Sequence, residues 1–477
     1  GFVGSAAVGG IGAGVGLASD TNTINREVTA SVDKSDIKAQ GFEVDADSAQ
    51  GISSFGVGAG AAGVGGGAAG VVTVTELNNT TKAMLNNSKV NANTVSIKAN
   101  HTGIVNAGNV SVGGAGLGVG GGLSVGVLKD NSATEVTVKG DNTEEDTITA
   151  SGDVTIAANN NATVNPMISA NGVGGMAGVA GATSINNLNS TVKTNIESVG
   201  ITSTGGSISG TADNTFNVKA YMGTIGGGAV GAGAGVTVNT IDSTVQTNVN
   251  GSALDAAKDI TLTAQETRNI EQTATNVAVG GIAVGANIAI TTVGQAVTDK
   301  DTVEKIDDAN KVFGENGEDA GELTTGAASA LATAGIENYT PHVDAELGGG
   351  KGSQITVNIS GSKLEADNTV TAKATENDNI NMTLGSGAAG AAAVNAGVGV
   401  LNVHSNVGVN ITCGGISANK IDIGTDITGS ANLEVYQGTA GAIGVNAAVG
   451  EASTTGSSKI DIDDVTFAGN DIDITAG

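Results

Sequence analysis

Residues 37–46 read IKAQGFEVDA, and residues 90–99 read VNANTVSIKA. Both stretches share one pattern. An apolar residue, a polar residue and an alanine precede a turn, and alternating apolar and polar residues then end in a second alanine. Alternation with a period of two is typical of a β-strand whose two faces have different surroundings. The pattern therefore predicts two short strands joined by a turn.

This two-strand phrase recurs along the whole chain of 477 residues. Successive copies begin 51–58 residues apart, except for one interval of 110 residues between Leu254 and Leu364. The repeating unit is therefore close to 53 residues, and the long interval is one unit plus an insert. The copies are anchored at Ile37, Val90, Ile148, Ile201, Leu254, Leu364, Ile416 and Phe467.

The rest of each unit also has the character of strands. Residues 114–127 read GAGLGVGGGLSVGV, with most of the glycines on one parity and the larger apolar residues on the other. A Ser/Thr-led strand follows, as in Ser190-Thr191-Val192 and Ser243-Thr244-Val245. The glycine content and the two-residue period both argue against a helix.

Repetition of this kind predicts a solenoid, because one unit cannot bury its apolar face alone and must stack on its neighbours. We expect an all-β fold, a right-handed parallel β-helix of about eight repeats. A coil of a repeat protein commonly has roughly 20–30 residues. We therefore expect about two coils per unit, with one wide coil per unit as the alternative.

The glycine rows require a reason, because glycine in a strand interior costs roughly 0.5–1 kcal/mol relative to alanine. One interpretation is intramolecular: another sheet of the same solenoid packs closely against the glycine rows. The other is lateral packing between solenoids in a fibre or bundle.

Composition excludes several classes of protein. Hydrophobic residues make up 39% of the chain and aromatic residues only 2%, which favours a regular array with a thin aliphatic core over an ordinary globule. The net charge is −27, which disfavours nucleic acid as a partner.

Cys413 is the single cysteine, so disulfides within the chain cannot stabilise the fold. Both ends interrupt the repeat, and we expect a fragment of a longer chain.

The Gly-Val-Gly-Ala-Gly runs, the Ser-Thr-Val strands and the Val-x-Ile-x-Ala phrases resemble the repeat regions of large type V-secreted exoproteins. These are filamentous haemagglutinin-like proteins and, more closely, leukotoxin-like filamentous adhesins of anaerobic bacteria. The resemblance covers nearly the whole chain. It implies a shaft-forming role and export through an outer-membrane β-barrel partner or domain.

Motifs that could carry chemistry are better explained by the fold. Residues 58–63 match a dinucleotide-binding G-x-G-x-x-G but lie in a Gly/Ala run with no helix after it. Four aspartates alternate with isoleucines near the end of the chain, and we expect a solvated outer face there: Asp461, Asp463, Asp471 and Asp473. Cys413 shares parity with Val409 and Ile411, which predicts a small buried residue. We expect no enzyme activity, no metal and no cofactor.

Residues 299–352 depart from the repeat and divide the chain into β-helix segments 1–298 and 353–477. The insert is acidic, and its pattern predicts short helices on the surface of the solenoid. Inserts of this kind often form the binding face of a repeat protein. Phe313, Tyr339 and His342 are therefore candidate contact residues, and a bump without function is the alternative.

These expectations combine into a non-enzymatic shaft of a secreted or cell-surface filamentous adhesin that can self-associate into fibres. Its partners would be a receptor on a host or bacterial surface, the outer-membrane export partner and further copies of itself. The alternatives are a segment of a secreted leukotoxin-like cytotoxin and a self-assembling extracellular matrix fibre.

Deletion of residues 300–350 should leave the fold intact, because the repeat is complete on both sides of the insert. Circular dichroism and thermal unfolding measure the fold, and cell or ligand binding measures the role of the insert. Unchanged binding after the deletion would refute the contact role of Phe313, Tyr339 and His342.

Overall fold

The protein is a stack of parallel β-strands. The structure is a computed structural model that describes residues 2–141, 147–294 and 353–477. Every helix or strand element in these ranges is a strand, and the strands form one sheet of 21 members. All of the strand pairings are parallel. The expected all-β class and solenoid-like stacking are confirmed.

The strands follow one another with short corners between them. In chain order they are β1 (Phe2–Asp33), β2 (Asp36–Lys38), β3 (Gly41–Asn86), β4 (Lys89–Ala92), β5 (Thr94–Lys139), β6 (Thr147–Ala150), β7 (Val154–Gly174), β8 (Ala177–Glu197), β9 (Gly200–Ser203), β10 (Ile208–Gly227), β11 (Val230–Asn250), β12 (Ala253–Ala256), β13 (Asp259–Val279), β14 (Ile282–Val293), β15 (Gln354–Ser360), β16 (Lys363–Ala366), β17 (Thr369–Ala389), β18 (Ala392–Ser417), β19 (Lys420–Ala440), β20 (Ile443–Ala468) and β21 (Asp471–Ala476).

The pairing register reproduces the spacing of the repeat. Ile37 pairs with Val90, and each further anchor residue pairs with the next as far as Phe467. A residue therefore meets its partner one whole unit away, never half a unit away. The expectation of about two coils per unit is wrong, and each unit forms one wide coil. The coil is wide because it doubles back on itself, a feature that a strand pattern does not reveal.

The ladder continues across the insertion point. Strand β11 pairs with β14 as far as Ile241 and Val293, and with β15 from Thr244 and Gln354 onwards. The backbone N–H of Ser353 donates a hydrogen bond to the carbonyl oxygen of Gly294 at 3.1 Å. The chain thus leaves and rejoins the coil at adjacent points. The predicted short helices of the insert lie outside the described residues.

Two apolar columns run through the stack and form the core. The first lies beneath the two-strand phrase and is built from residues such as Ile97, Ile201 and Ile411, all at most 1% exposed. The second lies farther along the coil and includes Leu188 and Phe216, again at most 1% exposed. Aliphatic side chains of similar size recur in each column because every coil presents the same face to the next.

Beyond the second column, each coil narrows to a thin blade in which the outgoing and returning segments pack backbone against backbone. A Cβ added to Gly60, Gly113 or Gly172 would clash with the carbonyl oxygen of a residue seven or eight positions later in the same coil. At the blade tip, Gly65 and Gly118 are paired and have φ values of 118° and 150°. Alanine would be too large along the inner rows. The intramolecular explanation of the glycine rows is therefore correct.

A left-handed corner recurs next to the first apolar column. The corner residues Asn87, Ser198 and Cys413 have φ values of 45°, 54° and 50°. The left-handed residue interrupts the in–out alternation, so parity counted from Val409 and Ile411 does not carry through it. Cys413 is exposed. The prediction that Cys413 is a buried apolar residue is wrong for this reason.

Gly113 and Gly114 offer a matched test of the blade, because they are adjacent in β5 and face opposite ways. An added Cβ at Gly113 overlaps the backbone of Gly121, whereas at Gly114 it meets nothing within 4 Å. Gly113→Ala should lower the free energy of unfolding by about 1–3 kcal/mol. Gly114→Ala should be neutral or stabilise by up to about 1 kcal/mol. Urea unfolding measures both, and equal effects would contradict the close packing of the blade.

Candidate functional site

A row of polar side chains runs through the interior between the two apolar columns. We call it the inner polar row, and its members pair in register from coil to coil. All are at most 3% exposed: Ser48, His101, Asn160, Asn214, Glu266 and Glu376. Asn160 donates to Asn214 at 2.6 Å, and Asn214 donates to Glu266 at 2.9 Å. These hydrogen bonds link consecutive coils at a fixed register.

One buried cation, Arg268, lies beside this row among three buried carboxyl groups. The guanidinium of Arg268 forms ion pairs with Glu376 and, through two hydrogen bonds of 2.6 and 2.9 Å, with Asp378. Arg268 also donates to the hydroxyl of Ser353 at 3.0 Å. Glu266, in the coil that contains Arg268, is the third carboxyl group. Such a cluster is stable only when nearly every charge has a partner.

Because three carboxyl groups surround one guanidinium, one of them has an electrostatic reason to stay neutral. Burial raises the pKa of Glu266 to about 7, while Arg268, Ser243 and Asn214 act in the opposite direction. Its Oε2 atom has no hydrogen-bond partner among the described residues. Glu266 is therefore protonated in a substantial fraction of molecules near neutral pH.

Two other buried titratable groups lie in earlier coils. Burial raises the pKa of Asp130 to about 6, and the hydroxyl of Ser132, which donates to Asp130 at 2.6 Å, partly offsets this. Burial, and to a lesser degree the charge of Arg26, lowers the pKa of His101. Both side chains are 3% exposed. Their enclosure fits a role in coil stacking, because a solute cannot reach them.

Asparagines on the outer surface form ladders between coils. The longest runs from Glu135 through Asn195, Asn248 and Asn358 to Asn410, with hydrogen bonds of 2.8–3.0 Å. Each side-chain amide donates to the residue one coil earlier, and Asn195, Asn248 and Asn358 also accept from the residue one coil later. The ladder therefore adds side-chain hydrogen bonds to the backbone pairing along the stack axis.

The sequence-based candidates are widely separated. Residues 58–63 lie inside β3 with no helix following, and Gly58 and Gly60 pack against the returning backbone of the blade. The aspartates of β20 and β21 are exposed. His404 contacts the hydroxyl of Thr455 at 2.8 Å. Phe313, Tyr339 and His342 lie outside the described residues.

Within the described ranges, no group of three or more His, Cys, Asp or Glu side chains is placed to hold a metal ion. No helix of the same ranges is long and apolar enough to cross a membrane.

Neither the inner polar row nor the cluster around Arg268 was predicted from the sequence. A signal was present, because Glu266, Arg268 and Asp378 share the inward parity of apolar neighbours such as Leu262 and Ile270. A two-residue period is still recognised when a single polar residue interrupts the apolar face, so that residue attracts no attention in one repeat alone. Only the alignment of several coils reveals a column.

Comparison with protein-family models, with curated proteins and with solved structures finds no match to this chain.

The raised pKa values predict a pH-dependent stability with a defined sign. The folded state binds more protons than the unfolded state between pH 4.5 and about 7 at Glu266, and between pH 3.8 and about 6 at Asp130. The contribution of each group to stability is therefore present at low pH and lost as the pH rises through these windows. For Glu266 the loss amounts to at most ~3 kcal/mol.

Urea unfolding between pH 5 and pH 8 measures this effect. Glu266→Gln should reduce the fall in unfolding free energy with rising pH, whereas Glu43→Gln, at an exposed position, should not. An identical pH slope in the wild type and in Glu266→Gln would contradict the buried proton.

Proposed function

We propose that this chain is a non-enzymatic structural shaft of a secreted or cell-surface filamentous adhesin. In this proposal the stack is a right-handed parallel β-helix of about eight units, and it continues into further segments of the same exoprotein. The chain carries a recognition element away from the bacterial surface.

The observation that carries the proposal is the uninterrupted in-register ladder. Each coil pairs only with its two neighbours, and the chain adds about 4.8 Å of length with every unit. Such a stack extends in one direction. The acid-rich composition supports solubility outside the cell, where a long rod must not precipitate.

The insertion point supports a second part of the proposal. Residues that interrupt a solenoid are free of the stacking constraint and can evolve for recognition. Because Gly294 and Ser353 lie in hydrogen-bonding contact, residues 295–352 can vary without altering the register of the coils. We place receptor binding in this insert, with Phe313, Tyr339 and His342 as the candidate residues. The outer-membrane export partner follows from the family resemblance.

The two alternatives predict different results in the same experiments. A leukotoxin-like segment would damage host cells, and a matrix fibre would form ordered bundles without adhering to cells. Beads coated with the purified chain report attachment to cells, release of a cytoplasmic marker reports damage, and electron microscopy reports rods or bundles. The shaft proposal expects attachment, single or paired rods, and no damage.

Two deletions of similar length separate shaft from contact element. Removal of residues 200–252 takes out one complete coil, since Gly200 and Ala253 occupy the same position in successive coils. Replacement of residues 295–352 by two glycines removes the insert. We expect the coil deletion to keep attachment and the insert deletion to reduce it at least ~10-fold, because only the second removes recognition residues. The opposite pattern would contradict the proposal.

A further inference from the structure

The outgoing side of the blade carries exposed valine and isoleucine side chains in several of the coils. We call this surface the outer flank, and it consists of two rows next to the blade tip. One row pairs Ala6, Ala59, Val112, Asn171, Ile225, Val277, Gly387 and Gly438 from coil to coil. The other pairs Val8, Ala61, Gly114, Val173, Gly227, Val279, Ala389 and Ala440.

The larger members of both rows are open to solvent. Ile225, Val277 and Val279 are 49%, 43% and 49% exposed, and Val173 is 53% exposed. The returning side of the blade is different in the same coils. There Val236 and Ile288 are only 3% and 0% exposed. In these two coils the outgoing flank is therefore the more exposed of the two apolar sides.

Charge is segregated away from the blade. The blade stretches lie within segments that contain no Asp, Glu, Lys or Arg: residues 2–19, 51–75, 102–128, 160–192, 220–241, 272–294, 379–419 and 435–450. The net charge of −27 therefore resides on the rest of the molecule. Two copies that approach by their charged faces repel each other, whereas two that approach by the outer flank meet without like charges.

The flank is large enough for a lateral contact. Eight coils at about 4.8 Å span about 40 Å, and two rows of alternate residues cover about 13 Å, which gives about 500 Å² per partner, near the lower limit for specific interfaces. Its relief is shallow, with a groove over Gly387, Ala389, Gly438 and Ala440 beside Val277. A second copy has side-chain rows of the same spacing, so the two sets of rows can interdigitate.

We propose that the outer flank is the surface by which two copies of this chain associate side by side. The contact is isologous, because each copy presents the same flank to the other. The inference rests on the proposed shaft function and adds the means by which single shafts become a thicker filament. The inward glycine rows make the blade thin, and the outward Val and Ile side chains form the contact between the blades of two copies.

Sedimentation velocity of the full chain over a wide range of concentration tests this proposal. The wild type should form dimers. The double variant Ile225→Asp/Val277→Asp should associate at least ~100-fold more weakly, because it places unpaired like charges in the contact. Leu123→Asp is the matched control, since Leu123 is 39% exposed and lies on the returning side. It should associate as the wild type does.

A charge-swap arm separates self-association from general stickiness. Ile225→Lys/Val277→Lys should also be monomeric alone but should associate when mixed with the Asp variant. A wild type that stays monomeric at every concentration, or a control that is weakened as much as the flank variants, would overturn the proposal. Binding of a monomeric wild type to neutral lipid vesicles would overturn it in favour of a lipid surface. In each of these cases attachment of coated beads to cells would still test the shaft function separately.

Discussion

In-register parallel pairing at an offset of one whole unit is the constraint on which the rest of the structure depends. Once Ile37, Val90 and their successors occupy one column, every other residue of the unit is also placed above its equivalent. Columns of like residues follow, some apolar, some polar and some glycine. Each position must therefore hold a side chain that can stack on its equivalents in the neighbouring coils, because an unfavourable contact would be repeated at every coil.

The blade shows how this constraint selects glycine. The outgoing and returning segments approach until only a hydrogen atom fits between the backbones at positions such as Gly113. That approach removes the need for large aromatic side chains in this half of the coil, and it explains how a chain with 2% aromatic residues can still exclude water. The larger side chains of the blade then point outward, where they are available for contacts between molecules.

The inner polar row and the neighbouring Arg268 cluster contribute specificity, whereas the blade contributes close packing. Burial of Arg268 with Glu266, Glu376 and Asp378 costs desolvation free energy, and ion pairs of this kind add little net stability. These groups specify the register, because a shift of a single residue would move them to the opposite face of the sheet, away from their partners. The row and the outer asparagine ladder both act along the stack axis, on which a wide and thin coil has few other specific contacts.

The fold class and the stacking of anchors from Ile37 to Phe467 could be predicted from the sequence, because period-two alternation and self-similarity report local geometry directly. The number of coils per unit could not, since it depends on a chain reversal that a glycine-rich strand pattern conceals. Cys413 was misplaced because a left-handed corner changes the parity of the residues after it. The cluster around Arg268 was missed because its members come from coils 110 residues apart in sequence.

The distance between spin labels at Lys38 and Glu365, in a chain whose native cysteine is replaced by serine, reports whether one unit makes one coil. Five pairing steps connect these positions, through Asn91, Thr149, Thr202 and Asp255. The account predicts a backbone separation of about 24 Å, from five steps of about 4.8 Å. A separation near 48 Å, as two coils per unit would give, would contradict it.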